Sequence, residues 1–221
     1  MKKVSTLLAL ALALSACVPT SAFHLKFDTT EPTIQKELLS ASLRVISRHL
    51  QAMNATLKDQ NVERSSDGAT ITITMDNKVA LAKLGERLLE PFSLALMKQV
   101  EENDPAATIK LAGHGAFAET GIDQTSLAWV YSMKDDQHPE KGKIQLVFTE
   151  QGQATLKKVF KATKGKMIGI FVRGILVSKV VSPGDAKEKI IIDNIPSQDL
   201  ADAFADSINV GMHVTFTGVT P

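Results

Sequence analysis

The sequence has little of several things that usually declare a function. It holds one cysteine in 221 residues, one tryptophan and one tyrosine. A single thiol excludes an internal disulfide framework and any zinc site made of clustered cysteines. Neither sign of charge is in excess: 25 Lys and Arg stand against 24 Asp and Glu, so the chain is not built to neutralise nucleic-acid phosphates. Charged residues make up 22% and apolar residues 44%, a balance that excludes a disordered chain. Beyond residue 22 there is no run of the roughly 18 apolar residues that a membrane-crossing helix needs. No Gly-x-Ser-x-Gly elbow, His-Glu-x-x-His pair or Gly-x-x-x-x-Gly-Lys-Ser/Thr loop occurs. An activated serine, a helical zinc site and a phosphate cradle therefore all lack their local signatures.

What the sequence does have begins at its start. Met1-Lys2-Lys3 supplies a positive segment and Val4 to Leu14 an apolar run of Leu and Ala, the pattern of a secretory signal over residues 1–16. The run ends in Leu14-Ser15-Ala16-Cys17, which resembles the bacterial lipobox, and the only cysteine stands where that motif carries its lipid. The resemblance implies a diacylated, palmitate-bearing Cys17, since two or three acyl chains anchor stably where one does not. The alternative is an ordinary secreted protein cut after Thr20-Ser21-Ala22, with Cys17 discarded. Loss of residues 1–16 leaves 23 basic against 24 acidic side chains. Val18 is not the Asp that commonly retains such lipoproteins in the inner membrane, which points to the periplasmic side of the outer membrane. Residues 17–32 are expected to be a linker.

The mature chain alternates helix and strand. From Thr33 to about Lys58, Ile34, Leu38, Val45, Ile46, Leu50, Met53 and Leu57 recur near the spacing of one helix face. Ala69 to Met75 alternates apolar residues with threonines after a turn at Ser66-Asp67-Gly68, a half-buried strand. Asn77 can cap a helix through Leu89, and Pro91 stops it, so that Phe92 to Val100 reads as a strand. Lys143 to Thr149 is a strand, Glu150 to Lys164 a helix closed by Gly165, and Met167 to Val172 and Ile175 to Val181 are two strands turned by Arg173-Gly174. Lys189 to Asp193 is a further strand, Ser197 caps a helix bearing Leu200, Phe204 and Ile208, and His213 to Val219 is the last strand.

The segment Lys143 to Gly152, the helix to Lys164, Gly165 to Ser178 and Ile195 to Ala201 resemble the head of the first periplasmic domain of the protein-export subunit SecD. Thr120 to Ala128 resembles the approach to that head. Leu43 to Gln60 with Asp67-Gly68 and the Thr-Ile-Thr strand resembles the base of the same domain. The resemblance spans about Thr33 to Thr217 and implies an α+β fold: a ferredoxin-like base over 33–112 and a βαββ head, with its closing strand, over 113–221. It departs at Arg173, where the family usually has Asp, and in lacking the family's membrane helices, through which SecD is thought to use a proton gradient.

Other candidate sites are weak. Gly113-His114-Gly115 reads as a mobile turn rather than a ligand loop. His24, His49, His114, His138 and His213 have no metal-ligand spacing. Asp135-Asp136 beside Lys134 reads as a solvated loop, and Asn54-Ala55-Thr56 lies within the expected first helix. The expectation is a non-catalytic, lipid-anchored envelope protein with no cofactor and no nucleic-acid partner. Its candidate contact residues for exported polypeptides or envelope proteins are Arg173, Gly174, Ile175 and Val177 on the hairpin, where strand edges offer main-chain hydrogen bonds to extended chains. The alternative is a structural or accessory envelope lipoprotein without an export role.

Overall fold

A computed structural model describes residues 18–185 and 189–220; the signal segment 1–16 and Cys17 lie outside the described residues. The first half runs β1 (Thr20–Phe27), α1 (Pro32–Ala52), β2 (Leu57–Arg64), β3 (Gly68–Met75), α2 (Lys78–Leu89), β4 (Leu94–Val100), β5 (Ile109–Leu111) and β6 (Gly115–Asp123). After a short 3-10 turn come β7 (Leu127–Lys134), β8 (Gly142–Phe148), α3 (Glu150–Ala162), β9 (Met167–Val172), β10 (Ile175–Val181), β11 (Lys189–Ile195), α4 (Gln198–His213) and β12 (Val214–Thr220).

The first sheet has the order β12-β1-β3-β2 with every neighbouring pair antiparallel. With α1 after its first strand and α2 after its third, this is the βαββαβ connectivity of a ferredoxin-like unit. Its fourth strand is supplied only after an insertion of more than a hundred residues, which leaves at the end of α2 and returns at Val214. The class is therefore α+β with a ferredoxin-like base. Strand β3 is central, and its pleat sends Ala69, Ile71, Ile73 and Met75 inward while its threonines are half-buried. These pack with Phe23, Leu25 and Phe27 of β1 and with Leu38, Ile46 and Leu50 of α1 and Leu81 and Leu84 of α2. Each such side chain contributes on the order of 2 kcal/mol by leaving water.

The insertion forms two further sheets, β10-β9-β4-β6-β5 and β11-β8-β7. A second core joins them through Leu94, Leu96, Val130, Ile144, Leu146, Phe148, Ile168, Ile170 and Ile192, with Leu156 and Phe160 from α3 and Ile208 from α4. A small third cluster lies around Met97, Phe117 and Phe171, the two rings meeting edge to face at 5.2 Å. Helix α4 ties the insertion to the base. Its Asp206, 7% exposed, accepts from Arg44 Nε at 2.8 Å and Arg44 Nη2 at 2.6 Å, and Arg48 Nη1 approaches at 2.8 Å without hydrogen-bond alignment. The hydrogen bond to Asp206 raises the Arg44 pKa, against burial. On its other side, the buried Asn209 accepts from Val130 N–H at 2.9 Å and donates to Val130 C=O at 2.8 Å, pairing with the free edge of β7 as a strand would. At Gly211 any Cβ would collide with the Phe92 ring, so only glycine lets α4 come this close.

Several expectations need correction. The described part of the expected linker, residues 18–32, is not a linker throughout, because Thr20–Phe27 is the first strand of the base, held between β12 and β3. The boundary at 112/113 separates strands of one sheet, since β4 pairs with β6 and β9. The closing strand belongs to the base, where it pairs with β1. The first helix stops at Ala52, not Lys58: Asn54 takes a left-handed φ of 50°, and Leu57–Arg64 is an exposed edge strand.

Candidate binding groove

Strands β9 and β10 form the expected hairpin. Arg173 and Gly174 both have positive φ, 49° and 74°, the signature of the tight turn that matches strand twist. Among the described residues strand β10 pairs only with β9, at the edge of its sheet. Its register shifts between Leu176 and Ser178, so Val177 bulges from the ladder. Alternate residues Ile175, Val177, Lys179 and Val181 are exposed, Ile175 by 67%.

Strand β11 is the edge of the three-stranded sheet and, among the described residues, pairs only with β8. Among the described residues the two edges are not hydrogen-bonded to each other, and clefts lie between them. Near one end, Val180 and Val181 face Ile190 and Ile191 with Phe160 and Pro183, around a space of about 90 Å³. Further along, Val177 and Ser178 face Ile192, Asn194 and Ile195, with Leu200 and Phe204 of α4 as floor, around about 370 Å³. Asn194, at φ 61°, accepts from Lys141 Nζ at 3.1 Å, and Lys143 Nζ lies 3.7 Å from Asp193. An unpaired strand edge presents N–H and C=O groups in a row, and two edges flanking apolar clefts suit a third extended segment.

The four hairpin candidates do not converge. Val177 lines the groove. Ile175 is exposed beside it, and Gly174 borders a different depression over β4 and β6. Arg173 turns back to Glu90, with Nη1 2.9 Å from Oε2. There it borders a cavity of about 360 Å³ between α1, the end of α2 and α4, together with His49, Arg87 and Phe92. Burial, then the charges of Arg87 and Arg173, push the His49 pKa below its ordinary value. Groove residues that sequence reasoning missed are Ile192, Asn194 and Ile195. Lys189 to Asp193 reads as a strand, but nothing local says that its edge faces β10.

The remaining candidates sit apart from the groove's apolar floor. His24 contacts Thr70 in the base, His138 is near Glu140, and His213 lies between Asp28 and the Ala128 carbonyl, stacked on Trp129. Asp135 is not solvated as expected but buried. Burial raises its pKa, yet the Gln137 N–H at 2.9 Å and Lys143 at 3.2 Å more than offset this and leave it lowered. Among the described residues no three His, Cys, Asp or Glu side chains are grouped as metal ligands, and no helix is long and apolar enough to cross a membrane.

No protein-family model matches the chain, and no curated protein sequence matches it. Among solved structures it is similar to SecDF in a super-membrane-facing form, at 13% identity and a TM-score of 0.48, over 91% of this chain and 30% of that one. It is similar to a structure described as a membrane component SecDF that enhances protein export, at 13% identity and 0.47, over 90% of this chain and 99% of that one. A third is SecDF, a translocon-associated membrane protein from Thermus thermophilus, at 12% identity and 0.45, over 91% and 31%. The chain thus spans about a third of the two longer structures. No residue here takes a role from them.

Proposed function

We propose that this chain is a lipid-anchored, extracytoplasmic and non-catalytic module that holds an extended polypeptide segment between β10 and β11, in an accessory role in protein export. The observation that carries it is the pair of unpaired edges facing each other across apolar clefts. An incoming strand could pair with either edge and place alternate side chains against Val177, Ile195, Leu200 and Phe204. Of the groove residues, Ile144, Phe160, Val177, Ser178, Ile195 and Leu200 lie in the segments that resemble the SecD head, while Val180, Val181, Ile190 to Asn194 and Phe204 lie outside them. The anchor is supported by β1: cleavage before Cys17 leaves that eight-residue strand whole, whereas cleavage after Ala22 removes its first three residues, which pair with β3. A second reading, an envelope lipoprotein with no export role, is favoured by Val18 beside Cys17, which points to the outer membrane.

The test is photo-crosslinking in growing cells with probes at Val177 and Asn194 inside the groove and at Lys110 outside it. Adducts with many newly exported chains or translocon subunits, from the groove positions alone, are expected. One abundant envelope partner, or equal adducts from all three positions, would overturn the export role.

A further inference from the structure

The attachment point for the anchor leaves almost no tether. The carbonyl of Pro19 accepts from Met75 N–H at 3.0 Å, so the chain is already fixed to β3 at Pro19, and only Val18 separates that point from Cys17. Two residues reach about 7 Å at full extension. An acylated Cys17 therefore brings one particular end of the base to the bilayer. At that end lie the beginning of β1, the end of β3 and the beginning of β2, through the pairs Thr20 with Thr74 and Leu57 with Met75. The first turn of α2 starts there too, three residues after Met75.

Its exposed residues include Val18 at 40%, Leu57 at 39% and Val79 at 65%. Singly, exposed apolar residues are ordinary; here they share the end from which the anchor emerges. Side chains on a helix lean toward its N-terminus, which sends Val79 toward that end. The nearby charges balance, Lys58 with its ion-pair partner Asp76, and Lys78 with Asp59, so attraction to anionic lipid is not the main force. The insertion leaves and returns elsewhere, Val214 pairing with Phe27 at the opposite end of β1.

We propose that Val18, Leu57 and Val79 form a bilayer-seated face that stands the base upright on phospholipid, with the opposite strand ends pointing away. This rests on the acylation of Cys17 proposed above.

The sole cysteine allows a test that does not depend on acylation in the cell. The chain beginning at Cys17 is coupled to a maleimide-headed lipid in phosphatidylcholine vesicles, and a gadolinium-headed lipid supplies relaxation of backbone amides. Signal loss is expected at 18–21, 54–58 and 76–80, with little at 26–28 and 66–68, and with no change in high salt. The substitutions Leu57→Glu and Val79→Glu together are expected to abolish the loss at 54–58 and 76–80, with that at 18–21 kept by the short tether and the fold's spectrum intact. Equal loss around the molecule, or loss at 54–58 and 76–80 that survives both substitutions, would overturn the proposal. Mass spectrometry of the protein extracted from membranes separately reports acylation: an unmodified Cys17 would sink the anchored function without altering the vesicle result.

Discussion

At the scale of single residues, polar side chains of α4 join it to the elements on its two sides, Asp206 to Arg44 of the base and Asn209 to β7 within the insertion. Asn209 occupies both main-chain groups of Val130 from within a buried interface. Asn209→Ala would orphan a donor and an acceptor at once, so a loss of about 2–4 kcal/mol is expected in urea denaturation; a loss under about 1 kcal/mol would mean that water replaces the amide. His49 gives a pH dependence whose sign follows from its surroundings. Because burial, Arg87 and Arg173 lower its folded pKa below the ordinary 6.5, the unfolded chain takes up the proton first. Its stabilising share is present at higher pH and is lost as pH falls through about 6.5 toward the folded value. His49→Gln should therefore flatten the slope of the denaturation midpoint between about pH 8 and pH 5. Identical slopes in the two proteins would refute the assignment.

At the scale of elements, β9 and β10 differ sharply although both read as hydrophobic strands. Ile170 in β9 is fully buried, while Val177 in β10 is 40% exposed. Ile170→Asp should cost about 4 kcal/mol or more, and Val177→Asp under about 1 kcal/mol, measured side by side by thermal or chemical denaturation. A large cost at Val177 would make it a core residue and remove it from the groove. This difference marks what a sequence can disclose. The alternation of Ala69 to Met75 and the caps at Asn77 and Ser197 were legible because a period of two and a capping side chain are local chemistry. Strand β2 was not, since an edge exposed on both faces has no apolar alternation, and the helix expected to Lys58 takes in its first residues, Leu57 and Lys58. In β1, Phe23, Leu25 and Phe27 alternate plainly, but their closeness to the signal segment disguised them. The groove was half legible: β10 and β11 could be read as strands, and their unpaired, facing edges could not.

At the scale of the whole molecule, a chain that starts and finishes its base with pairing strands must close one sheet across nearly its full length. Strand β12 completes the order β12-β1-β3-β2 and covers one edge of β1, while α4 just before it binds Arg44 of the base through Asp206 and β7 through Asn209 and His213. Linear reading assigns β12 to the second unit by proximity, and the pairing assigns it to the first. These two assignments predict different damage when β12 is removed. In a chain ending at His213, the amides of β1 that bond to β12 should lose hydrogen-exchange protection and the base core around Phe23 and Ile73 should loosen, since the sheet then ends on a strand whose side chains are buried. The amides of β8 and β9, whose partners lie within the insertion, should keep theirs. Protection lost first in β8 to β11, with β1 unaffected, would instead make β12 part of the second unit and break the ferredoxin-like assignment of the base.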